Sequence, residues 1–405
     1  MLSVSLCANS KGMPRHTVIV GAGLAGLTLA ERCARAGDRV TVIEKYDYLG
    51  GRVLTSKRGY EIGAGRVAGS HRHVWALVRR FGLHRYHMSP TVKWRSLSDK
   101  HTITNPFDIQ LSPILAAIDR LPPHIKASHT LGELLSKTAS PIEQLQFPYR
   151  AEMGCIRADL AIRSFHTEFS GGEDYYGVRE GLSAIIKGFE EACKSAGVRF
   201  LMNTEVTDVS ATAVHIKGSK PMKADRIVLA LHATALKKLP CMNTAPFLKH
   251  LTMAPLTRIY AQYPTPAWFD KERVVTDSPL RYIIPINPAN GTIMISYTDD
   301  QDTKFWSSLK GDALTAAIQR EVRRLYPERE IPEPLWCKAY EWTEGCTYWA
   351  PGHYDPVCAS KEAMQPFPES MPTLYVTGES VSMRQAWMEG ALEHADALWH
   401  TYLKD

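Results

Sequence analysis

Three glycines and one acid carry the first chemistry legible in this chain. Gly21, Gly23 and Gly26 stand in the order G-A-G-L-A-G, and Glu44 follows 18 residues after Gly26. The first glycine permits a tight turn, the second lets bare backbone approach a pyrophosphate, and the third lets a helix pack on a strand. The phosphates then meet the unpaired N–H groups at a helix N-terminus. A carboxylate at the position of Glu44 accepts hydrogen bonds from a ribose diol and disfavours a 2′-phosphate. The glycines alone would say little. With the acid at this distance they describe a dinucleotide site.

That chemistry needs a particular set of elements around it. Residues 16–20, HTVIV, form a β-branched run that predicts a buried parallel strand ending at Gly21. Residues 24–36 space Leu24, Leu27, Leu29, Ala30, Cys33 and Ala34 as a helix does, and Gly37 stands where a helix C-cap glycine belongs. Residues 39–43, RVTVI, make a second strand that ends at Glu44. The result is a βαβ unit of about 30 residues, the context in which the glycine pattern has meaning.

Further along, the texture changes twice. Residues 86–174 lose the α/β rhythm, hold Pro122-Pro123 and include the amphipathic stretch TLGELLSKTA at 130–139. A helix is predicted over 177–196 from Leu182, Ile185, Ile186, Phe189 and Ala192, followed by strand patterns through 198–231. Residues 257–300 are strand-rich, 311–325 helical, and LYVTG at 374–378 reads as another buried strand before a last helix from about 387 to 403. The alternation predicts two interleaved domains in an α/β fold. A Rossmann-like cofactor domain would comprise 14–85, 175–235 and 355–405; an α+β substrate domain would comprise 86–174 and 236–354.

Composition sets outer bounds. The 405 residues carry a formal net charge of +6, with 44% hydrophobic and 22% charged residues, as in an ordinary globular protein. No dense Lys/Arg block supports nucleic-acid binding. The 8 cysteines (Cys7, Cys33, Cys155, Cys193, Cys241, Cys337, Cys346 and Cys358) form no CxxC pair, which argues against a zinc module and a disulfide framework and fits a reducing compartment. No apolar run reaches the roughly 18 residues that span a bilayer, and MLSVSLCA is too short for a signal h-region. A soluble, cytoplasmic protein without membrane contact is the expectation, and an oligomer is compatible with it.

Beyond Glu44 stand Leu49-Gly50-Gly51-Arg52 and then Gly59-Tyr60-Glu61-Ile62-Gly63-Ala64-Gly65-Arg66. Near the other end stand Gly378-Glu379 and Trp387-Met388-Glu389-Gly390-Ala391. With these motifs the chain resembles the flavin-containing amine oxidase superfamily, the GR2-type fold of L-amino-acid, monoamine and polyamine oxidases. The resemblance implies FAD. It places Gly51 and Arg52 in a turn folded back on the pyrophosphate, with the arginine near the phosphates. It runs the segment through Gly65 and Arg66 under the flavin. Asn203-Thr204-Glu205-Val206 resembles the strand whose valine backbone pairs with adenine. Gly378 and Glu379 then meet the ribityl chain, and Trp387 and Met388 lie beside the pyrimidine end of the ring. In monoamine oxidases a cysteine before an aromatic-x-P-G stretch holds the flavin covalently; here Cys346 falls two positions too late, so FAD is expected to be non-covalent.

The same resemblance frames the substrate side. The flavin carries the redox chemistry, and the protein positions the C–H bond and keeps the amine neutral. No metal is required and none is expected. Trp387 matches the family's cage aromatic, with Tyr348 or Trp349 as an opposing wall or, equally, as core. Arg66 resembles the arginine by which L-amino-acid oxidases grip the substrate carboxylate, although Gly65 replaces the family's methionine and Ala68 its proline. An ion pair of Arg66 with protein or flavin phosphate fits as well. Counting back from Pro266-Ala267-Trp268, Arg258 occupies the place of the lysine that reaches flavin N5 through water. Arginine stays charged and cannot act as a base. The expected activity is oxidation of a primary amine, an L-amino acid first, with dioxygen giving hydrogen peroxide. A polyamine or monoamine oxidase is the first alternative. A flavin-binding protein with little oxidase activity is the second, and a desaturase-like or protoporphyrinogen-oxidase-like activity shares the same dinucleotide motifs.

Overall fold

The computed structural model describes residues 14–89, 91–98, 102–168, 174–265, 268–269 and 271–404. Its first layer is a five-stranded parallel sheet in the order Leu374–Val376, Arg226–Leu229, His16–Val20, Arg39–Ile43, Arg199–Leu201. All five residues of His16–Val20 are buried, as a central parallel strand requires. Helices Leu24–Arg35, Ser183–Ser195 and Met388–Leu398 cover one face through Leu27, Leu29, Ile185, Phe189, Leu392 and Ala395. On the other face lie Leu236, Phe247, Trp349 and Ala363. Both ends of the chain therefore meet in one layer: the last helix packs on the first.

Gly37 takes φ +102° and its N–H donates to Ala34, ending the first helix where the sequence predicts. The helix expected over 177–196 starts later. Tyr175–Val178 is a strand paired with Val67–Ala68 and Arg85–His87, and the helix begins only at Ser183. Gly181, at φ +81°, breaks the chain between them. The amphipathic stretch at 130–139 is also shorter as a helix, Leu131–Leu135, opened by a capping box of Thr130 and Glu133.

The second layer is a seven-stranded sheet in the order Trp336–Trp349, Leu251–Gln262, Thr292–Asp299, Tyr282–Asn287, Arg273–Thr276, Val92–Arg95, Thr102–Thr104. Only the pairing of Arg273–Thr276 with Val92–Arg95 is parallel. One face packs through Ile259, Ile293 and Ile295 on helix Gly311–Leu325. The opposite face presents Tyr260, Tyr282, Ile284 and Met294, joined by Tyr60 and Tyr149 from outside the sheet. Short helices between residues 112 and 168 form a third core around Leu115, Phe147 and Phe165. Among the described residues, no helix is long and apolar enough to cross a membrane.

Candidate active site

The glycine loop fixes one wall of a cavity of about 1330 Å³ that runs past both sheets. Gly21 takes φ +102°, and a Cβ there would lie 2.4 Å from the Ala230 carbonyl oxygen. A Cβ on Gly26 would lie 2.0 Å from the Gly21 carbonyl oxygen. Packing therefore demands both. Gly23 is different: nothing stands within 4 Å of its missing Cβ, and it is the N-cap of helix Leu24–Arg35. The middle glycine opens the helix N-terminus to the cavity, as a pyrophosphate needs.

Glu44 is buried at the cavity edge, where its carboxylate accepts the Ala22 N–H at 2.8 Å and the Tyr46 N–H at 3.0 Å. Two backbone donors orient it and leave lone pairs for a diol. Thr204 donates its N–H to the Glu44 carbonyl, which brings Val206 to the same rim. Gly50 donates to the Ala22 carbonyl at 2.8 Å, and a Cβ on Gly51 would come 3.6 Å from Gly23 Cα. The GGR turn thus folds back on the glycine loop.

Arg52, on the same turn, also lines the cavity. Its Nη2 donates to Glu379 at 2.6 Å and its Nη1 to the Gly345 carbonyl at 3.0 Å. Glu379 also accepts the Ala386 N–H at 2.7 Å. The pair joins the N-terminal motif to the C-terminal one, and both residues line the cavity. Gly378, at φ +129°, has open space on its Cβ side. Met388 opens the last helix at the cavity, and Trp387 is its N-cap. Glu389, close to His73 and Glu393, caps helix Arg72–Arg80 by accepting the His73 and Val74 N–H groups.

Trp387 has a partner that sequence reasoning missed. Its ring lies nearly parallel to Tyr175, at 11° and 6.1 Å between centroids. His71 packs edge-on against it at 4.9 Å, and burial lowers the His71 pKa to about 4, so this prop is neutral. Arg66 stands among the same rings: its Cζ is 4.3 Å from the Tyr175 centroid, 5.4 Å from Trp387 and 5.8 Å from Tyr149. Guanidinium over aromatic faces is a favourable contact.

Tyr348 and Trp349, the candidates for the opposing wall, are not among the residues lining the cavity. Both are buried: Tyr348 donates to the cavity-lining Glu152 at 3.1 Å, and Trp349 Nε1 donates to the Ser382 carbonyl at 3.0 Å. Their strand has by then turned under the core, paired with Leu251 and Thr252. Cys346, earlier on that strand, does line the cavity, and burial pushes its thiol up to about 12.

Arg258 sits mid-strand, opposite Tyr297 and Tyr340, and only 8% exposed. Pro266 and Ala267, which anchor its alignment, lie outside the described residues. Its Nη1 donates to the Glu61 carbonyl at 3.3 Å, its Cζ is 5.2 Å from the Tyr297 ring, and its Nε is buried without a hydrogen-bond partner. A Cβ on Gly65 would be 3.0 Å from Arg258 Nη1. Two of the residues that depart from the family pattern, Gly65 and Arg258, therefore lie side by side. Burial pushes the Glu61 carboxyl up to about 7, against the Leu182 N–H and Thr55 hydroxyl that hold it down. Burial first, and Glu152 second, push Asp299 behind this wall well above the usual carboxylate range. Tyr149, Tyr175, Arg273 and Tyr297 carried no motif, and the elements that hold them come together only in three dimensions.

The residues fit a flavin dinucleotide: an open helix N-terminus at Gly23, an oriented acid at Glu44, and a continuous cavity from there to Trp387. The family model for "Flavin containing amine oxidoreductase" matches residues 24–397. A mouse (Mus musculus) L-amino-acid oxidase is 23% identical over 96% of this chain and 71% of its own length. The L-amino-acid oxidase of Vipera ammodytes ammodytes is 45% identical over 75 residues, 17% of this chain and 16% of the relative. Among solved structures, a putrescine oxidase mutant superposes with a TM-score of 0.75 at 17% identity, covering 95% of this chain and 98% of that one. The chain therefore belongs to the flavin containing amine oxidoreductases, enzymes acting on CH–NH2 or CH–NH groups, and its dinucleotide cradle makes the flavin FAD.

Proposed function

We propose that this protein is an L-amino-acid oxidase: it oxidises the Cα–N bond to an imine that water hydrolyses, and dioxygen is reduced to hydrogen peroxide. Bound FAD supplies the two-electron chemistry. The chain's own residues bind, orient and exclude water. Arg66 carries the reading, because its planar fork lies in the cavity beside Trp387 and suits a carboxylate bidentately. With the carboxylate held there, Tyr175 and Trp387 limit the rotation of the Cα substituents. The surrounding aromatic and cationic wall lowers the pKa of the substrate ammonium, favouring the neutral amine that oxidation requires.

A diamine suits this wall less well. A second ammonium about 8 Å from a buried guanidinium costs about 2 kcal/mol at an effective dielectric constant of about 20. The mouse relative supports the amino-acid reading, whereas the putrescine oxidase likeness speaks to fold. We also read the FAD as non-covalent, since the Cys346 thiol is held in its unreactive protonated form. The two sheets support a cofactor domain of 14–85, 175–235 and 355–405 beside a substrate domain of 86–174 and 236–354. The seven described cysteines are all free, in keeping with a cytoplasmic setting.

The test is a peroxide-coupled screen of L-amino acids, monoamines and polyamines, run on the protein and on Arg66→Ala. Amino acids should be turned over, and Arg66→Ala should lower their kcat/KM on the order of 100-fold through lost charge-assisted bonds. Faster turnover of amines would overturn the reading. Silence in all three classes would point to a flavin-binding protein with little oxidase activity.

A further inference from the structure

A dinucleotide that fills the cavity has a fixed direction. The open helix N-terminus at Gly23 and the acid at Glu44 mark its phosphate and ribose end, so the isoalloxazine belongs at the other end, where Gly65, Arg258 and Trp387 line the wall. That end carries a charge without a counter-charge. Arg258 is 8% exposed and makes no ion pair among the described residues. Its Nη1 donates to a neutral acceptor, the Glu61 carbonyl, and its Nε is buried and unbonded. Arg52, on the same cavity, is the contrast, since Glu379 accepts from it at 2.6 Å.

The titratable groups around Arg258 do not balance it. Burial pushes the Tyr260 and Tyr297 phenols up, so they stay neutral, and it does the same to the Cys346 thiol. The Glu61 carboxyl accepts the Leu182 N–H and the Thr55 hydroxyl, and burial raises its pKa to about 7, which weakens it as a counter-charge. The strand Leu251–Gln262 that carries Arg258 is paired on both sides, with Thr292–Asp299 and Trp336–Trp349. A Cβ on Gly65 would stand 3.0 Å from Nη1 and 3.3 Å from Nη2, so the bare backbone makes room for the guanidinium. The charge is thus held in place and cannot be lost as a proton. A buried charge of this kind is costly unless an anion completes it. The reaction supplies one. The oxidised flavin ring is neutral, and taking up two electrons and one proton from the amine leaves it with one negative charge.

We propose that Arg258 is the counter-charge of reduced FAD: its guanidinium, unpaired within the chain, holds the anion that substrate oxidation creates, so the protein binds reduced FAD more tightly than oxidised FAD. This applies to any amine substrate. It therefore goes beyond the amino-acid reading and rests only on the binding of FAD.

The test compares the two affinities through the reduction potential of the FAD-loaded protein, read at pH 6 against a reference dye without oxygen or substrate. Arg258→Met should lower the preference for reduced FAD at least ten-fold, about 30 mV for a two-electron couple. Arg258→Lys should restore part of it. An unchanged potential in Arg258→Met overturns the proposal, and so does an equal drop in Arg258→Lys, which would make shape rather than charge the cause. A second measurement needs no variant to fold. Sulfite adds to the oxidised flavin ring and leaves it negatively charged. It should bind the unsubstituted, FAD-loaded protein at least ten-fold more tightly than it binds free FAD, and equal affinity overturns the proposal. Neither readout involves amine turnover: failure here leaves the oxidase reading standing, and silence in the peroxide screen leaves the counter-charge standing.

Discussion

At the scale of single residues, Gly65 and Arg258 are best understood together. Each looks like an isolated departure in the sequence, yet a Cβ at Gly65 would press on the Arg258 guanidinium at 3.0 Å from Nη1. An arginine head fits this wall because residue 65 has no side chain. Gly65→Ala should therefore displace the guanidinium and destabilise the protein by about 1–2 kcal/mol, as overpacking does. Adding Arg258→Lys should recover part of that loss. The cycle of single and double variants, followed by urea midpoint, should give a coupling of about 1 kcal/mol; strict additivity would show that the contact is unimportant. Glu61 gives a second residue-level expectation. Its folded pKa, about 7, lies above the ordinary 4.5, so folding favours its protonated form. The stability it contributes is full below pH 4.5 and is lost as pH rises through 7, by at most about 3 kcal/mol. Glu61→Gln should flatten the fall in melting temperature between pH 4.5 and pH 7 relative to the unsubstituted protein; an equally steep fall would place its source elsewhere.

At the scale of elements, the loops were legible and the walls were not. Gly21, Gly23, Gly26 and Glu44 do their work within one βαβ unit, so spacing along the chain was enough to place them. The GGR turn was legible too, but the protein partner of Arg52 was not, because Glu379 lies 327 residues away. Tyr149, Tyr175, Arg273 and Tyr297 come from separate elements and meet only through tertiary packing, which no local pattern encodes. Tyr348 and Trp349 are aromatic and close to Cys346 in sequence, yet of the three only Cys346 is among the residues lining the cavity. The Arg52–Glu379 pair is the element-level device that matters most, since it ties the turn after the first βαβ unit to the loop before the last helix. Glu379→Gln would leave Arg52 without its carboxylate and release the Ala386 N–H from a charged acceptor. With Arg52 30% exposed, the cost should be about 2 kcal/mol rather than the larger figure for fully buried pairs. A lower ratio of flavin to protein absorbance after gel filtration should accompany it. Full retention of flavin in this variant would mean the pair serves folding alone.

At the scale of the whole molecule, the cavity and the fold depend on the same contacts. The cavity is lined by residues of the parallel sheet and its loops (Gly23, Glu44, Gly378) and by residues of the seven-stranded sheet (Arg258, Ile284, Tyr297). A ligand filling about 1330 Å³ between two layers bridges them, and it has no equivalent site in the unfolded chain. Binding should therefore stabilise both layers together, by about 2.7 kcal/mol when free FAD is at 100 times its dissociation constant. For a protein of this length the shift in melting temperature is a few degrees. Acid precipitation should release the flavin to the supernatant, and the refolded flavin-free protein should melt several degrees lower than the same sample with FAD restored. A single transition that moves as a whole would show that the cofactor couples the layers. If two transitions appear and only one responds to FAD, the sheets fold independently, and the substrate wall around Arg66 and Arg273 is built without the cofactor's help.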